Sequence, residues 1–391
     1  MQYRITAAVF TMVLCLLTNA AFCRAQSAND PTPLDGSAAV VKLAAPSYGI
    51  YHAAYPDFGG TEDLVTSKRI TGFESLVGKK ITWAYFSNNW MDASMGGDGL
   101  NFPKTSVAII SSLGRVPFIR MMPRSDWDEG GPDEVYTMTR IIEGEFDNQL
   151  RQWARDARAT EIPLLVEFGT EVNGDWFPWN GRYCGGGRLD GYGNDTEPDG
   201  PERFKDAYIH IIELFRDEGV GNITWFFHVD AFSSPDVSWN AMDRYYPGDD
   251  YIDWIGVSLY GPQSSTEGWW DLFSEMMDDG VYESLLNIST QKPIAILEFA
   301  VAEMNDADHS KAAWITDAMN AFISNRYPEI KAISWWHENF DGTYLLRLDT
   351  SQAALKAYRN GISNQIFVTD PEWTQRIPIP HGLHILRGID N

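Results

Sequence analysis

The chain has 391 residues and a net charge of −24, with 30 Lys and Arg against 54 Asp and Glu. A protein this acidic repels nucleic-acid phosphates and anionic lipid, which excludes those partners and leaves neutral or cationic substrates open. It also carries 15 Trp, 17 Tyr and 20 Phe, several beside polar residues, a composition that suits the flat C–H faces of sugar rings.

In chain order, Met1–Arg4 is a short basic start, residues 5–22 an apolar run, and Cys23-Arg24-Ala25 a small-residue end. Residues 1–25 therefore read as a signal peptide cleaved after Ala25, and the protein is expected to be secreted or periplasmic. The run is short of a membrane span and broken by Thr18 and Asn19, and no later segment is apolar enough to cross a bilayer. Cleavage leaves Cys184 as the one cysteine, so no internal disulfide is expected. Residues 26–45, small and polar with two prolines, read as a flexible leader.

Eight short apolar runs follow, at 48–52, 81–86, 116–121, 162–168, 222–228, 252–259, 293–299 and 330–336. Helical stretches separate them, among them 146–158, 202–217 and 309–326. This alternation predicts an α/β fold with a parallel sheet covered by helices. Eight such units within residues 46–361 predict a closed (β/α)8 TIM barrel. An open doubly wound sheet would carry a Gly-rich phosphate turn after an early strand, and none is present. Gly181–Gly200 is a Gly- and Asp-rich loop whose Asp190, Asp195 and Asp199 do not follow an EF-hand pattern. It reads as solvated. Residues 362–391 are expected to pack on the barrel as a C-terminal extension, and the protein to act as a monomer.

In such a barrel the active site forms where strands end and their loops begin. The fourth strand ends LLVEFGTEVNGDWFPW, placing Glu171 at the mouth, and the seventh ends PIAILEFAVAE, placing Glu298 at the corresponding height. Two carboxylates facing each other are what glycosidic cleavage requires: one protonates the leaving oxygen, the other works on the opposite face of the ring. Arg120 ends the third strand and is suited either to hold a carboxylate ionised or to an ordinary ion pair. His228 ends the fifth strand. No cofactor or metal is expected, because the seven histidines show no HExxH spacing, and no GxSxG elbow offers a serine nucleophile. Cys184 lies in a Gly-rich loop without a helix N-terminus to activate it.

The segment Glu171-Val-Asn-Gly-Asp-Trp176-Phe-Pro-Trp179 resembles the acid/base motif of glycoside hydrolase family 26, a (β/α)8 group of retaining endo-glycosidases that includes β-mannanases. Further resemblances follow in order: Gly200-Pro-Glu-Arg-Phe-Lys205, residues 246–256 (YPGDDYIDWIG) and the strand Pro293-Ile-Ala-Ile-Leu-Glu298. The resemblance runs from about Tyr48 to about Gly361. It implies Glu171 as acid/base, Glu298 as nucleophile, Trp176 as a ring at the cleavage subsite and Tyr260 as a hydrogen-bond partner of the nucleophile. Candidate substrate contacts are Trp176, Trp179, Tyr260, Trp336, Arg120 and His228. Trp336 either floors the cleavage subsite, as a late eighth-strand Trp does in related barrels, or packs in the core.

Two positions depart from the mannanase pattern, which has His directly before the acid/base and Asp two before the sixth-strand Tyr. This chain has Thr170 and Ser258 there. The resemblance implies an endo-1,4-β-mannosidase. The departures give weight to β-1,3-xylan and mixed-linkage β-glucan, and keep a catalytically silent carbohydrate-binding barrel as the alternative from another class. Glu338, in WWHENF, is the rival carboxylate, and Glu167 lies deeper in the fourth strand.

Overall fold

The computed structural model describes residues 40–91, 99–127, 130–304, 309–340 and 342–376. The expected signal peptide and most of the expected leader, and the expected extension beyond residue 376, lie outside the described residues. Eight parallel strands form the barrel: β1 (Ile50–Tyr55), β2 (Trp83–Asn89), β3 (Val116–Met122), β4 (Leu164–Phe168), β5 (Ile223–Asp230), β6 (Trp254–Tyr260), β7 (Ile294–Ala300) and β8 (Ile330–Trp336). The ring closes where β1 pairs with β8, from Tyr51 opposite Ala332 to Tyr55 opposite Trp336. Each overlaps one of the apolar runs of the sequence, the first only from Ile50 to His52, and nearly every strand residue is buried, as a sheet covered on both faces requires.

The outer helices show the expected stripe. In Asp199–Asp217, Phe204, Ala207, Tyr208, Ile211, Ile212 and Phe215 face inward at three- and four-residue spacing, with Asp199 and Glu202 in the first turn. Helix Lys311–Ile323 starts on Ser310, whose side chain accepts from Ala313 N–H. Among the described residues no helix is long and apolar enough to cross a membrane.

The barrel interior is filled by rings: Trp83, Phe118, Phe226 and Trp254 contact one another in a layer below the mouth. Above that layer the inward side chains turn polar. This division positions the site, because a dry aromatic floor leaves the charged groups nowhere to face except the mouth.

The end of the leader is a correction. Val40–Leu43 is a strand, antiparallel to Trp373–Arg376. Lys42 pairs with Asp253 at 2.7 Å, and Leu43 accepts from Trp254 Nε1 at 2.9 Å, closing the start of β5 and β6. The alternating VVKL pattern was masked by the small, Pro-containing residues on either side. Phe367–Val368 pairs in parallel with the start of β1.

Candidate active site

Glu171 sits in the loop that leaves β4, with φ of +49° in the left-handed region. A non-glycine residue held there costs on the order of 1–3 kcal/mol unless its surroundings enforce it. Several contacts do. Gly174 N–H donates to the Glu171 carbonyl at 2.8 Å, and Val172 N–H donates to the His228 carbonyl at 3.3 Å. Asn173 clasps the backbone of Asp230 through both N–H and C=O, at 2.8 and 2.9 Å. Trp176 Nε1 then donates to Glu171 Oε2 at 2.7 Å, fixing the carboxyl itself.

Glu298 reaches the same space by a different device. In β7, Val257 and Ser258 of β6 face Ile296 and Glu298, so Leu297 is an extra residue, and the pairing to β8 shifts there too. Leu297 points toward Gly256, where a Cβ would collide with it. Strict alternation would turn Glu298 outward. The bulge resets it, so Glu298 faces the barrel axis while Phe299 packs on Trp314 and Phe322 of the outer helix.

The two carboxylates and His228 come together: one oxygen of each and one ring nitrogen lie within 4.8 Å of one another. Tyr260 OH donates to Glu298 Oε2 at 2.7 Å, and Arg120 Nη2 stands 3.3 Å from Glu298 Oε1. Burial, opposed by Arg120 and reinforced by the charge of Glu171, pushes Glu298 up to about 7. Arg120 is itself 3% exposed and surrounded by carboxylates, with Glu62 at 2.6 Å and Glu167 at 3.5 Å. Its guanidinium also lies over the rings of Tyr85 and Trp336. Beneath them, Glu167 accepts from Tyr85 OH at 2.5 Å and faces His228 Nδ1 at 3.0 Å.

Two carboxylates whose oxygens are this close leave no room for an interposed water, the spacing of a pair in which one attacks the anomeric carbon directly. The model of glycosyl hydrolase family 26 matches residues 134–324, which hold both carboxylates. Endoglucanase H of Acetivibrio thermocellus is 28% identical over 296 residues, 75% of this chain and 29% of that protein. These matches support a member of glycosyl hydrolase family 26.

Mannan endo-1,4-beta-mannosidase of Bacillus subtilis is 25% identical over 191 residues, 49% of this chain and 42% of that protein. The chain thus spans less than half the length of either relative. The family 26 fold recurs in the catalytic domain of a Bacillus sp. JAMB-750 endo-beta-1,4-mannanase, with TM-score 0.57 and 17% identity, covering 83% of this chain and 88% of that one. A Cellulomonas fimi endo-beta-1,4-mannanase gives TM-score 0.55 and 17% identity, covering 82% and 72%.

Within this site, the sequence-predicted residues separate. Trp176 and Tyr260 are half-buried and touch the two carboxylates. Trp336 is 5% exposed and stacks on Tyr55 at 3.9 Å. Trp179, expected as a substrate contact, is fully buried: its Nε1 donates to the Thr170 carbonyl, and its ring stacks on Phe177. Arg120 is engaged with Glu62 and Glu298, not with open space for a sugar. His228 is 1% exposed, and both ring nitrogens are taken by protein groups. Rank along a strand gave its height correctly but not which partners would already occupy it.

Other groups of the site escaped the sequence reading. Glu62, in the loop after β1, accepts from both Arg120 and Ser87. Asp230 ends β5; burial and the Glu171 charge push it well above the usual carboxylate range. Neither stands in a motif, and Asp230 was legible only as the residue after a strand. Glu338 is 6% exposed and faces Glu62 and Asp57, with burial the main cause of its rise to about 8. Burial pushes the Cys184 thiol up to about 12, away from the thiolate form that a nucleophile needs. In the Gly-rich loop, Asp199 faces Arg188 at 3.8 Å and Arg203 at 3.9 Å, so its charge is already answered.

Proposed function

We propose that this chain is a secreted, retaining endo-β-glycosidase that hydrolyses a β-linked polysaccharide. The observation that carries the reading is the close approach of Glu171 and Glu298, each held by its own hydrogen-bond donor. Glu171 acts as acid, giving its proton to the leaving oxygen as Glu298 attacks the anomeric carbon and forms a glycosyl–enzyme ester. Glu171 then takes a proton from water, which cleaves that ester and restores the original anomeric configuration. Trp176 holds Glu171 in place and offers its ring face to the sugar on that side. Tyr260 and Arg120 favour the ionised form of Glu298 against the burial that opposes it.

For the backbone, the motif around Glu171 and the similarity to the Bacillus subtilis mannosidase support β-1,4-mannan. A specific observation favours a second reading, a β-glucan. Thr170 and Ser258 stand where the mannanase pattern has His and Asp, and the similarity to endoglucanase H extends over more of the chain. A panel of mannan, β-1,3-xylan, mixed-linkage glucan and β-1,4-xylan, with product lengths recorded, separates these. Glu171→Ala and Glu298→Ala are each expected to abolish nearly all hydrolysis while leaving the circular dichroism spectrum unchanged. Hydrolysis of a natural polysaccharide by Glu298→Ala would overturn the assignment, and binding without product release by the wild-type protein would leave a carbohydrate-binding barrel.

A further inference from the structure

The two positions at which the sequence departs from the mannanase pattern, Thr170 in the loop after β4 and Ser258 in β6, are 88 positions apart, yet both touch one side chain. Thr170 Oγ1 is 2.7 Å from His228 Nδ1, and Ser258 Oγ is 2.9 Å from His228 Nε2. The imidazole is clamped across its ring between the loop after β4 and β6, within 4.8 Å of an oxygen of each carboxylate.

The hydrogen count at this ring is constrained. Glu167 Oε2, 3.0 Å from Nδ1, can only accept if it is ionised, so Nδ1 carries a proton. Tyr85 OH, 3.2 Å from Nδ1, already gives its hydrogen to Glu167 and is left to accept. The Ser258 hydroxyl can accept from Nε2 as readily as donate to it, so the second proton has a partner as well.

The surrounding charges ask for that second proton. Facing His228 are Tyr85 from β2, Glu167 and Glu171 from β4 and its loop, and Glu298 from β7; Asp230 lies on its own strand. Arg120 from β3 and Tyr260 from β6 face Glu298. In the ready state Glu62, Glu167 and Glu298 are negative, and Arg120 is the sole cation among these named groups unless His228 is charged. Burial disfavours a charged imidazole, but the carboxylates of Glu167 and Glu298, joined by that of Glu171 when it is ionised, outweigh it and raise the His228 pKa above its ordinary value.

We propose that His228 is a positioning residue: clamped by Thr170 and Ser258, it places a second positive charge beneath Glu298, keeping that carboxylate ionised and its oxygens fixed without touching the sugar. The inference rests on the retaining-glycosidase reading for its effect on rate, but the charge of the ring is independent of it. Thr170 and Ser258 are thereby the two halves of a holder for His228, so a change at one weakens the hold exerted by the other.

The test has two arms. In the first, the protein is labelled with ¹⁵N-histidine, and His228 is assigned from the signal lost in His228→Asn. Both ring nitrogens are expected to show protonated shifts at pH 7, above the ordinary titration point of about 6.5. A neutral ring at pH 7 would overturn the proposal whether or not any polysaccharide is cleaved. In the second, the pH profile of kcat/KM is compared on whichever polysaccharide the wild type hydrolyses. His228→Asn is expected to move the acidic limb up by about 1–3 pH units, the effect of losing an opposite charge at this range, with KM within about twofold. Should His228→Asn fail to fold, Thr170→Val and Ser258→Ala each remove one clamp and are expected to shift the limb in the same direction by less. A lowered melting temperature with a superimposable pH profile would reduce His228 to a structural role. A rise in KM at constant kcat would instead make it a sugar ligand. Either result contradicts the proposal.

Discussion

Tyr260 OH donates to Glu298 Oε2 at 2.7 Å, and the two residues come from neighbouring strands whose pairing shifts by one residue just before them. The bond depends on the bulge at Leu297, since without it Glu298 would face the helices. A hydrogen bond to a charged group contributes about 1.5–3 kcal/mol, equivalent to roughly 1–2 pH units. Tyr260→Phe is therefore expected to keep the fold and to move the acidic limb of kcat/KM upward from near pH 7, where Glu298 ionises. A pH series with wild type and variant side by side reads the shift. An unmoved limb would mean that the hydroxyl does not govern the ionisation of Glu298.

Arg120 touches three carboxylates from a position 3% exposed. Removing one partner of a buried ion pair costs about 3–5 kcal/mol, because the remaining charges stay buried. Arg120→Met should lower the urea midpoint accordingly, with little change in the slope of the transition. Arg120→Lys is expected to recover only part of this, since a single ammonium cannot serve Glu62, Glu167 and Glu298 with the geometry of a guanidinium.

The two tryptophans of the acid/base loop should respond oppositely. Trp179→Ala empties a fully buried site and is expected to cost about 3–5 kcal/mol. Trp176→Phe loses the bond to Glu171 from a half-buried ring, so it should lower kcat markedly while the melting temperature moves little. Thermal unfolding and steady-state rates on the same preparations separate the two effects.

These contrasts mark what could be read from the sequence. The barrel was legible because each strand is an apolar run between helical stretches, and burial on both faces leaves that signature in composition. Glu171 was legible through the Trp-rich segment after it. Glu298 was legible by strand order alone, for a reason the sequence conceals: alternation by itself would have turned it outward, and only the register shift around Leu297 brings it in. Arg120 was read both as a sugar contact and as the holder of a carboxylate, and it stands beside Glu298 and Glu62. For His228, a list of strand ends does not reveal that Thr170, Ser258 and Glu167 already engage its ring nitrogens. Glu62 belongs to a loop, and nothing in its neighbours marks it.

Glu338 makes a prediction about stability in place of rate. Burial, with the nearby charges of Glu62 and Asp57, raises it to about 8, above an unfolded value of about 4.3. The folded state thus holds a proton that the unfolded state has lost. Its contribution is fully present below about pH 4.3 and disappears as pH rises through about 8. Glu338→Gln, which cannot ionise, should melt above wild type at pH 8, the gap narrowing steadily toward pH 4.5. A gap that widens on acidification would contradict this.

The central claim is that Glu298 attacks the sugar while Glu171 moves the proton. Incubation with a slow fluorinated glycoside of the accepted sugar, followed by intact mass and peptide mapping, tests it most directly. A stable adduct of one glycosyl unit on the peptide that contains Glu298 is the predicted result. An adduct on Glu171 or Glu338, or turnover with inverted anomeric configuration and no adduct, would contradict the account.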